Sequence, residues 1–163
     1  MIDSEIDSNR LCQEIKSGEY QEEDIVNSLR ILGIQGRWDE VWNVSHALGV
    51  EISWIQDAEG VVFVDLGSSG EVRLSAPIGA VLPFRLWIHT HPWTAYWSFT
   101  DLTALRNFAG LLEVAIVLGN DHWKRSRCRL TMGQTLPDSI EDPLNMWTDE
   151  EIQHYPVVPE VMV

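Results

Sequence analysis

Cysteine is scarce in this chain of 163 residues: the only two are Cys12 and Cys128, and no CxxC pair occurs. Two cysteines are too few for the disulfide scaffold of a small secreted domain. The chain also lacks a basic segment followed by an apolar core at its start, and it has no apolar run approaching about 18 residues. We therefore expect a cytoplasmic protein that does not act in or on a membrane.

Basic residues are also few. The chain has 11 Lys and Arg against 25 Asp and Glu, and its formal net charge is −14 at pH 7. A field of this sign repels phosphate backbones, so nucleic-acid binding is not expected. We find no Gly-rich phosphate loop, no GxSxG elbow and no internal repeat. The sequence thus carries no signature of a phosphate-binding loop or of a hydrolase with that serine motif.

What the chain does have is a globular composition, with 45% apolar and 22% charged residues and eight tryptophans. This balance predicts a folded core and a single domain with additions. We expect an acidic helical N-terminal extension at 1–35, the main domain at 36–135 and an acidic, proline-containing C-terminal tail at 136–163. The acidic ends are the expected partner surfaces.

Apolar residues at helical spacing predict four helices. The expected spans are 8–16, 22–32, 39–48 and 101–112. Gly33 is the expected C-cap of the second helix, and Gly49 ends the third. Ser98, Thr100 and Asp101 are the candidates for capping the fourth helix.

Short apolar or alternating runs between turn residues predict strands. The expected spans are 50–55, 61–66, 71–74, 84–88, 114–118 and 125–132. Some strands are separated by helices, and others are joined by hairpins too short for a crossover. The pattern predicts an α/β fold of the α+β type, with a mixed central sheet flanked by helices. In the tail, at most one or two helical turns are expected within 146–155.

The segment from His89 to Asp101, HTHPWTAYWSFTD, combines several residues with chemical potential. His89 and His91 stand at i and i+2 at the end of a predicted strand, so both side chains point to one face. Imidazole nitrogen and carboxylate oxygen are zinc ligands, and a catalytic zinc typically has three protein ligands and a water. Asp101 can be the third ligand if the chain from Pro92 to Trp97 loops back. Taken singly, each of these residues is more often structural.

The ordered combination of HTHP and SxxD resembles the JAMM metalloprotease motif of the MPN (Mov34/PAD-1) domain family, E…H-[ST]-H-P…S-x-x-D. The matching residues are His89, Thr90, His91, Pro92, Ser98 and Asp101. By order of elements the resemblance extends over about 38–132. It implies an MPN/JAB-like fold with cytidine-deaminase-like layering, of the stand-alone prokaryotic type. It also implies a catalytic domain whose Zn²⁺ is held by His89, His91 and Asp101.

The motif also requires an upstream glutamate near the start of the first strand after the domain's first helix. Glu51 occupies that place, and the resemblance gives it the role of general base. Glu40, Glu59 and Glu71 are the alternatives. The resemblance further gives Ser98 the role of hydrogen-bond donor to the oxyanion that develops during hydrolysis.

The resemblance implies an isopeptidase or peptidase that cleaves after the C-terminus of a ubiquitin-like protein, in deconjugation or precursor processing. Trp93, Tyr96 and Trp97 are the expected substrate-binding residues, because such rings can line a groove for an extended chain. The expected partners are that ubiquitin-like protein or its conjugates, together with activating or conjugating enzymes of the same pathway. A homodimer or a hetero-complex is also expected.

Two other functions stay open. One is a phage-related or cell-wall small-peptide hydrolase that uses the same zinc site. The other is a non-catalytic MPN scaffold, although scaffold members usually lack part of the ligand set that this chain keeps. His122 is expected to be a solvated loop residue, with a role close to the metal or the substrate as the less favoured alternative.

Overall fold

The structure is a computed structural model, and it describes residues 5–68, 74–133 and 141–156. The helices are α1 Ser8–Ser17, α2 Glu22–Ile34, α3 Trp38–Leu48 and α4 Phe99–Asn107, with a 3₁₀ helix at Pro143–Met146. The strands are β1 Ile52–Gln56, β2 Val62–Leu66, β3 Phe84–Thr90, β4 Leu112–Leu118, β5 His122–Arg127 and β6 Gln153–His154. Across these ranges no helix has the length and apolarity needed to cross a bilayer.

The six strands form one sheet in the order β2-β1-β3-β4-β5-β6. Strands β3 and β4 run parallel, and α4 connects them. The other neighbouring pairs in the sheet are antiparallel. A parallel pair requires a crossover connection, whereas an antiparallel pair can be joined by a short turn. The predicted mixed α/β sheet flanked by helices is thus confirmed.

Helices α2 and α3 pack against one face of the sheet, and α1 packs against α3. The three helices form a single apolar cluster with even-numbered strand residues. Its buried members include Leu11, Ile25, Leu29, Leu32, Trp42, Trp54, Ile88 and Ile116. Each fully buried side chain of this size contributes roughly 1.5–3 kcal/mol. The helices of the predicted N-terminal extension therefore share one core with the sheet.

Helix α4 and the 3₁₀ helix pack on the opposite face. The apolar cluster there includes Ile55, Trp87, Leu105, Ala115 and Trp147. Side chains alternate between the faces along each strand. The odd-numbered residues at the end of β3 therefore point toward α4.

The prediction that Gly33 caps α2 is wrong. The helix continues to Ile34, and Gln35 is its C-cap. A Cβ atom at Gly33 would lie 2.2 Å from the indole nitrogen of Trp54. The glycine therefore allows α2 to approach β1 closely, and it does not end the helix.

The fourth helix is shorter than predicted, spanning Phe99–Asn107 in place of 101–112. Ser98 is its N-cap, as expected among the candidates. Gly110 has a positive φ of 84°, and Leu112 already starts β4. The apolar residues after 107 that continue the helical spacing therefore belong to a turn and a strand.

Three other predicted spans need correction or lie outside the structure. The strand predicted at 125–132 begins earlier and ends at Arg127, because a tight turn places Trp123 opposite Leu118. Beyond it, Cys128 makes only an isolated bridge with Trp147. In the tail, where helical turns were predicted within 146–155, the 3₁₀ helix ends at Met146 and the short strand β6 follows. Most of the strand predicted at 71–74 lies outside the described residues.

Candidate metal centre

Three side chains from β3 and α4 meet at one edge of the sheet. His89 is near the end of β3, His91 follows that strand, and Asp101 is in the first turn of α4. One potential ligand atom from each lies within 4.8 Å of the others, and all three residues are buried. The loop from Pro92 to Trp97 therefore folds back as predicted and brings Asp101 to the histidines.

A capping box fixes Asp101. The Ser98 hydroxyl accepts a hydrogen bond from the backbone N–H of Asp101 at 3.1 Å, and the Asp101 carboxylate accepts one from the Ser98 N–H at 3.0 Å. Such reciprocal bonds satisfy two free N–H groups at a helix start. Ser98 thus holds the third candidate ligand in place. Its hydroxyl proton is still available to another acceptor.

Each carboxylate oxygen of Asp101 faces one imidazole ring. Oδ2 lies 3.0 Å from Nε2 of His91, and Oδ1 lies 3.1 Å from Nε2 of His89. This second contact does not have hydrogen-bond geometry, and within the described residues neither ring nitrogen of the fully buried His89 has a hydrogen-bond partner. A buried polar atom without a partner costs about 1–3 kcal/mol. A metal ion between these atoms would give the His89 nitrogen a partner, so the side chains fit a metal site.

The protonation states suit metal binding. Burial lowers the pKa of His89 from its ordinary value, which keeps the ring neutral. Burial opposes ionisation of Asp101, but His89, His91 and the Ser98 N–H together hold its pKa well below the usual range. Metal ions bind neutral imidazole and ionised carboxylate. The His89 ring and the Asp101 carboxylate are therefore held in the forms that bind a metal ion.

Aromatic rings surround the two histidines. The His89 ring stacks on Trp87 with centroids 4.1 Å apart, and the Trp97 ring is tilted against it with centroids 5.9 Å apart. Tyr96 meets the His91 ring edge at 4.7 Å and is 54% exposed. Trp93 is 60% exposed. Of the three predicted substrate-binding rings, Trp97 packs inward, whereas Trp93 and Tyr96 are open to a ligand.

Thr90, between the histidines, points to the opposite face. Its Oγ1 lies 2.6 Å from the hydroxyl of Ser45 and accepts the N–H of Ile52 at 2.9 Å. The indole N–H of Trp42 donates to the carbonyl of His91 at 2.8 Å. Helix α3 and strand β1 therefore hold the backbone that carries both histidines.

Glu51 is buried directly before β1 and lies beside His91. In the antiparallel pairing Ser53 is opposite His89, and the same register extended by two residues puts Glu51 opposite His91. Both residues line one small cavity, together with His46 from the end of α3. The Glu51 side chain is therefore close to His91, one of the three residues of the triad.

Glu40 and Glu59, two of the three alternatives to Glu51, have surroundings that differ from those of the triad. Glu40 accepts hydrogen bonds from Arg37 and from the Ser8 hydroxyl, and the Arg37 bond lowers the pKa of Glu40. Glu59 is exposed in the turn between β1 and β2. Glu71 lies outside the described residues. Of the described candidates, Glu51 is the one that shares a cavity with a triad residue.

The prediction of a solvated loop position for His122 is wrong. The side chain is 13% exposed, and Nε2 accepts a hydrogen bond from the Ala95 N–H at 2.9 Å. His46, another residue without an assigned role, contacts the Trp93 ring at 4.8 Å. Neither residue belongs to a sequence motif, so only the folded chain brings them to the site.

We compared the chain with protein-family models, curated proteins and solved structures, and none of them matches it.

Proposed function

We propose that this protein is a zinc-dependent isopeptidase or peptidase of the JAMM type, built on an MPN/JAB-like fold. The observation that carries the proposal is the buried triad of His89, His91 and Asp101, in which the His89 nitrogens have no hydrogen-bond partner among the described residues. Two nitrogens and one oxygen form a donor set that zinc accepts, and three protein ligands are typical of a catalytic zinc. The order of HTHP and SxxD in the sequence adds independent support.

Glu51 is the proposed general base. The register of β1 and β3 and the shared cavity support a position next to His91. In hydrolysis this carboxylate takes a proton from the attacking water and passes it to the leaving amine as the C–N bond breaks. The water oxygen becomes part of the new carboxylate of the product.

Ser98 and the exposed rings have the other proposed roles. The Ser98 hydroxyl accepts from the Asp101 N–H and can donate its own proton to the oxyanion that develops at the scissile carbonyl. A bound zinc ion would lower the pKa of its water toward about 7 and polarise that carbonyl. Trp93 and Tyr96, exposed on the loop between the ligands, are the proposed contacts for the substrate chain.

The proposed substrate is the C-terminal tail of a ubiquitin-like protein, in a conjugate or a precursor. An extended tail can pair with strand edges and place its side chains against aromatic rings. Its activating and conjugating enzymes are the proposed partners in the same pathway. A homodimer or hetero-complex is also proposed.

The experiment uses zinc-loaded full-length protein and a ubiquitin-like protein fused through its C-terminus to a fluorescent amine. Wild type is expected to release the amine. Glu51→Gln is expected to keep zinc and to lose at least about 100-fold in rate, because general-base catalysis contributes roughly 10²–10⁴-fold. Glu40→Gln is the control on another glutamate and is expected to cleave like wild type.

Full activity of Glu51→Gln would contradict the assignment of the base. Absence of cleavage by zinc-loaded wild type would contradict the proposed substrate. If that protein instead cleaves short cell-wall peptides, the zinc chemistry stands and the substrate class changes.

A further inference from the structure

The loop of residues 92–97, here called the metal loop, connects the two elements that carry the candidate ligands. His91 lies directly before it, and Asp101 follows within the first turn of α4. No helix or strand occurs within the loop. The conformation of the loop between the ligands therefore depends on contacts that hold it from outside.

The turn between β4 and β5, residues 119–121, and His122 at the start of β5 make those contacts. Nε2 of His122 accepts the Ala95 N–H at 2.9 Å, and the N–H of Asn120 donates to the Trp93 carbonyl at 2.8 Å. Ala95 is almost fully buried. Without His122, its N–H would be a buried donor without this acceptor, which is unfavourable.

The backbone donor also determines the tautomer of His122. Because Nε2 accepts a hydrogen bond from the Ala95 N–H, the ring hydrogen is on Nδ1, and the Nδ1–H donates to the Asp121 carboxylate at 2.7 Å. The carboxylate orients the ring, and the ring orients the loop. The same arrangement of a histidine held by a carboxylate is used to orient metal ligands themselves.

Gly119 allows the loop to approach this turn closely. A Cβ atom at Gly119 would lie 2.7 Å from the Ala95 nitrogen, 2.8 Å from the Trp93 carbonyl oxygen and 2.9 Å from Nε2 of His122. Two of these three neighbours are backbone atoms, which cannot move aside like a flexible side chain. Gly119 and His122 therefore support the same contact between the metal loop and the connection of β4 to β5.

We propose that His122 is a positioning residue for the metal centre: through Ala95 it fixes the metal loop and thereby the separation of His91 and Asp101. The proposal rests on the proposed metal site, and it adds a residue that lies outside the motif. His122 touches neither the metal nor the substrate in this account. Its effect on the ligands passes through the loop backbone.

Two substitutions of His122 distinguish the role of its hydrogen-bond acceptor from the role of its side-chain volume. His122→Gln can place an amide oxygen near the position of Nε2 and keep an acceptor for Ala95, whereas His122→Leu fills similar space without one. Gly119→Ala crowds the same contact with a methyl group and does not replace His122. His154→Leu is the matched control, since His154 pairs with His122 across β5 and β6 and is exposed.

The first readout is limited chymotrypsin digestion of the metal-free full-length protein, with cleavage after Trp93 and Tyr96 identified by mass spectrometry. Wild type, His122→Gln and His154→Leu are expected to be cut slowly at both sites. His122→Leu and Gly119→Ala are expected to be cut faster there, because the loop has lost its anchor. Circular dichroism checks that each variant keeps the fold of the rest of the chain.

The second readout is Zn²⁺ affinity, measured by competition with a chromophoric chelator, together with the visible absorption of the Co²⁺-substituted protein. His122→Leu is expected to bind Zn²⁺ roughly 10-fold more weakly and to show an altered Co²⁺ spectrum, since loss of a supporting residue typically costs about 10–100-fold. His122→Gln is expected to restore most of the affinity and the spectrum. A merely structural histidine would lower the stability of the fold without changing the Co²⁺ spectrum.

Slow loop cleavage in both His122→Leu and Gly119→Ala, or wild-type Zn²⁺ affinity and Co²⁺ spectrum in His122→Leu, would overturn the proposal. The same holds if His122→Gln and His122→Leu behave alike. A wild type that binds no Zn²⁺ would contradict the proposed function instead. The digestion then still decides whether His122 anchors the loop.

Discussion

His89 and Thr90 are neighbours in sequence, and both side chains are fully buried. They point to opposite faces of the sheet, and their polar atoms differ in hydrogen bonding. The Thr90 hydroxyl has hydrogen-bond partners on α3 and β1, whereas neither nitrogen of His89 has one in the part of the chain that the structure describes. Buried polar groups in proteins are normally paired. The face that leaves a nitrogen unpaired is the face where Asp101 and His91 converge, so the missing partner marks the site.

The Thr90 side shows what a purely structural polar contact looks like here. Ser45 donates its hydroxyl proton to the Val50 carbonyl at 2.6 Å. Its oxygen can then accept the Thr90 proton, while Thr90 accepts from Ile52. Every donor in this chain of bonds has an acceptor. Nothing is left for a ligand to complete, in contrast to His89.

The largest expected effect breaks the His89 side of the comparison. His89→Leu is expected to abolish stoichiometric metal binding, because it removes one of the three candidate ligands. The substitution also removes the ring that helps to keep the buried Asp101 carboxylate ionised. Metal titration measures the loss of binding, and urea denaturation of the metal-free protein checks that the variant folds. Metal binding equal to that of wild type would contradict this description of His89.

The Thr90 side is expected to behave in the opposite way. Thr90→Val removes a satisfied hydroxyl and leaves the Ile52 N–H without its acceptor, so the free energy of unfolding should fall by about 1–3 kcal/mol. Metal affinity is expected to change much less than in His89→Leu, because the Thr90 side chain faces away from the triad. Urea denaturation measures the change in stability, and chelator competition measures the change in metal affinity. Equal losses of metal affinity in both variants would erase the distinction between the two faces.

A smaller effect is expected from pH. The folded-state pKa of His89 is lowered by burial from its ordinary value of 6.5, so the unfolded chain takes up a proton that the folded chain refuses. The free energy of unfolding of the metal-free protein is therefore expected to stay at its full value above about pH 6.5 and to decline as the pH falls below it. Urea midpoints between pH 7.5 and 5 measure this slope. His89→Leu should have the shallower slope, and identical slopes would speak against a neutral, buried His89.

Local parts of this structure could be predicted from the sequence. The caps at Ser98 and Gly49 and the shared face of His89 and His91 depend on residues a few positions apart. Strand alternation and helix spacing likewise predict the mixed sheet. These features need only short-range geometry, and the structure confirms them.

The remaining features depend on residues far apart in sequence. Gly33 looks like a cap until Trp54 is packed against it, and its lack of a side chain then has a different reason. His122 looks like a loop histidine until the metal loop folds onto the β4–β5 turn. The position of Glu51 relative to His91 follows from the register of β1 and β3, which no local pattern determines.

The most direct test of the central claim is the metal stoichiometry of the purified full-length protein. Wild type is loaded with Zn²⁺, passed over a desalting column and analysed for bound metal by elemental analysis, with His89→Leu treated in parallel. The account predicts one zinc ion per wild-type chain and none in the variant. Wild type without bound zinc, or equal zinc in both proteins, would contradict the assignment of His89, His91 and Asp101 as a metal centre.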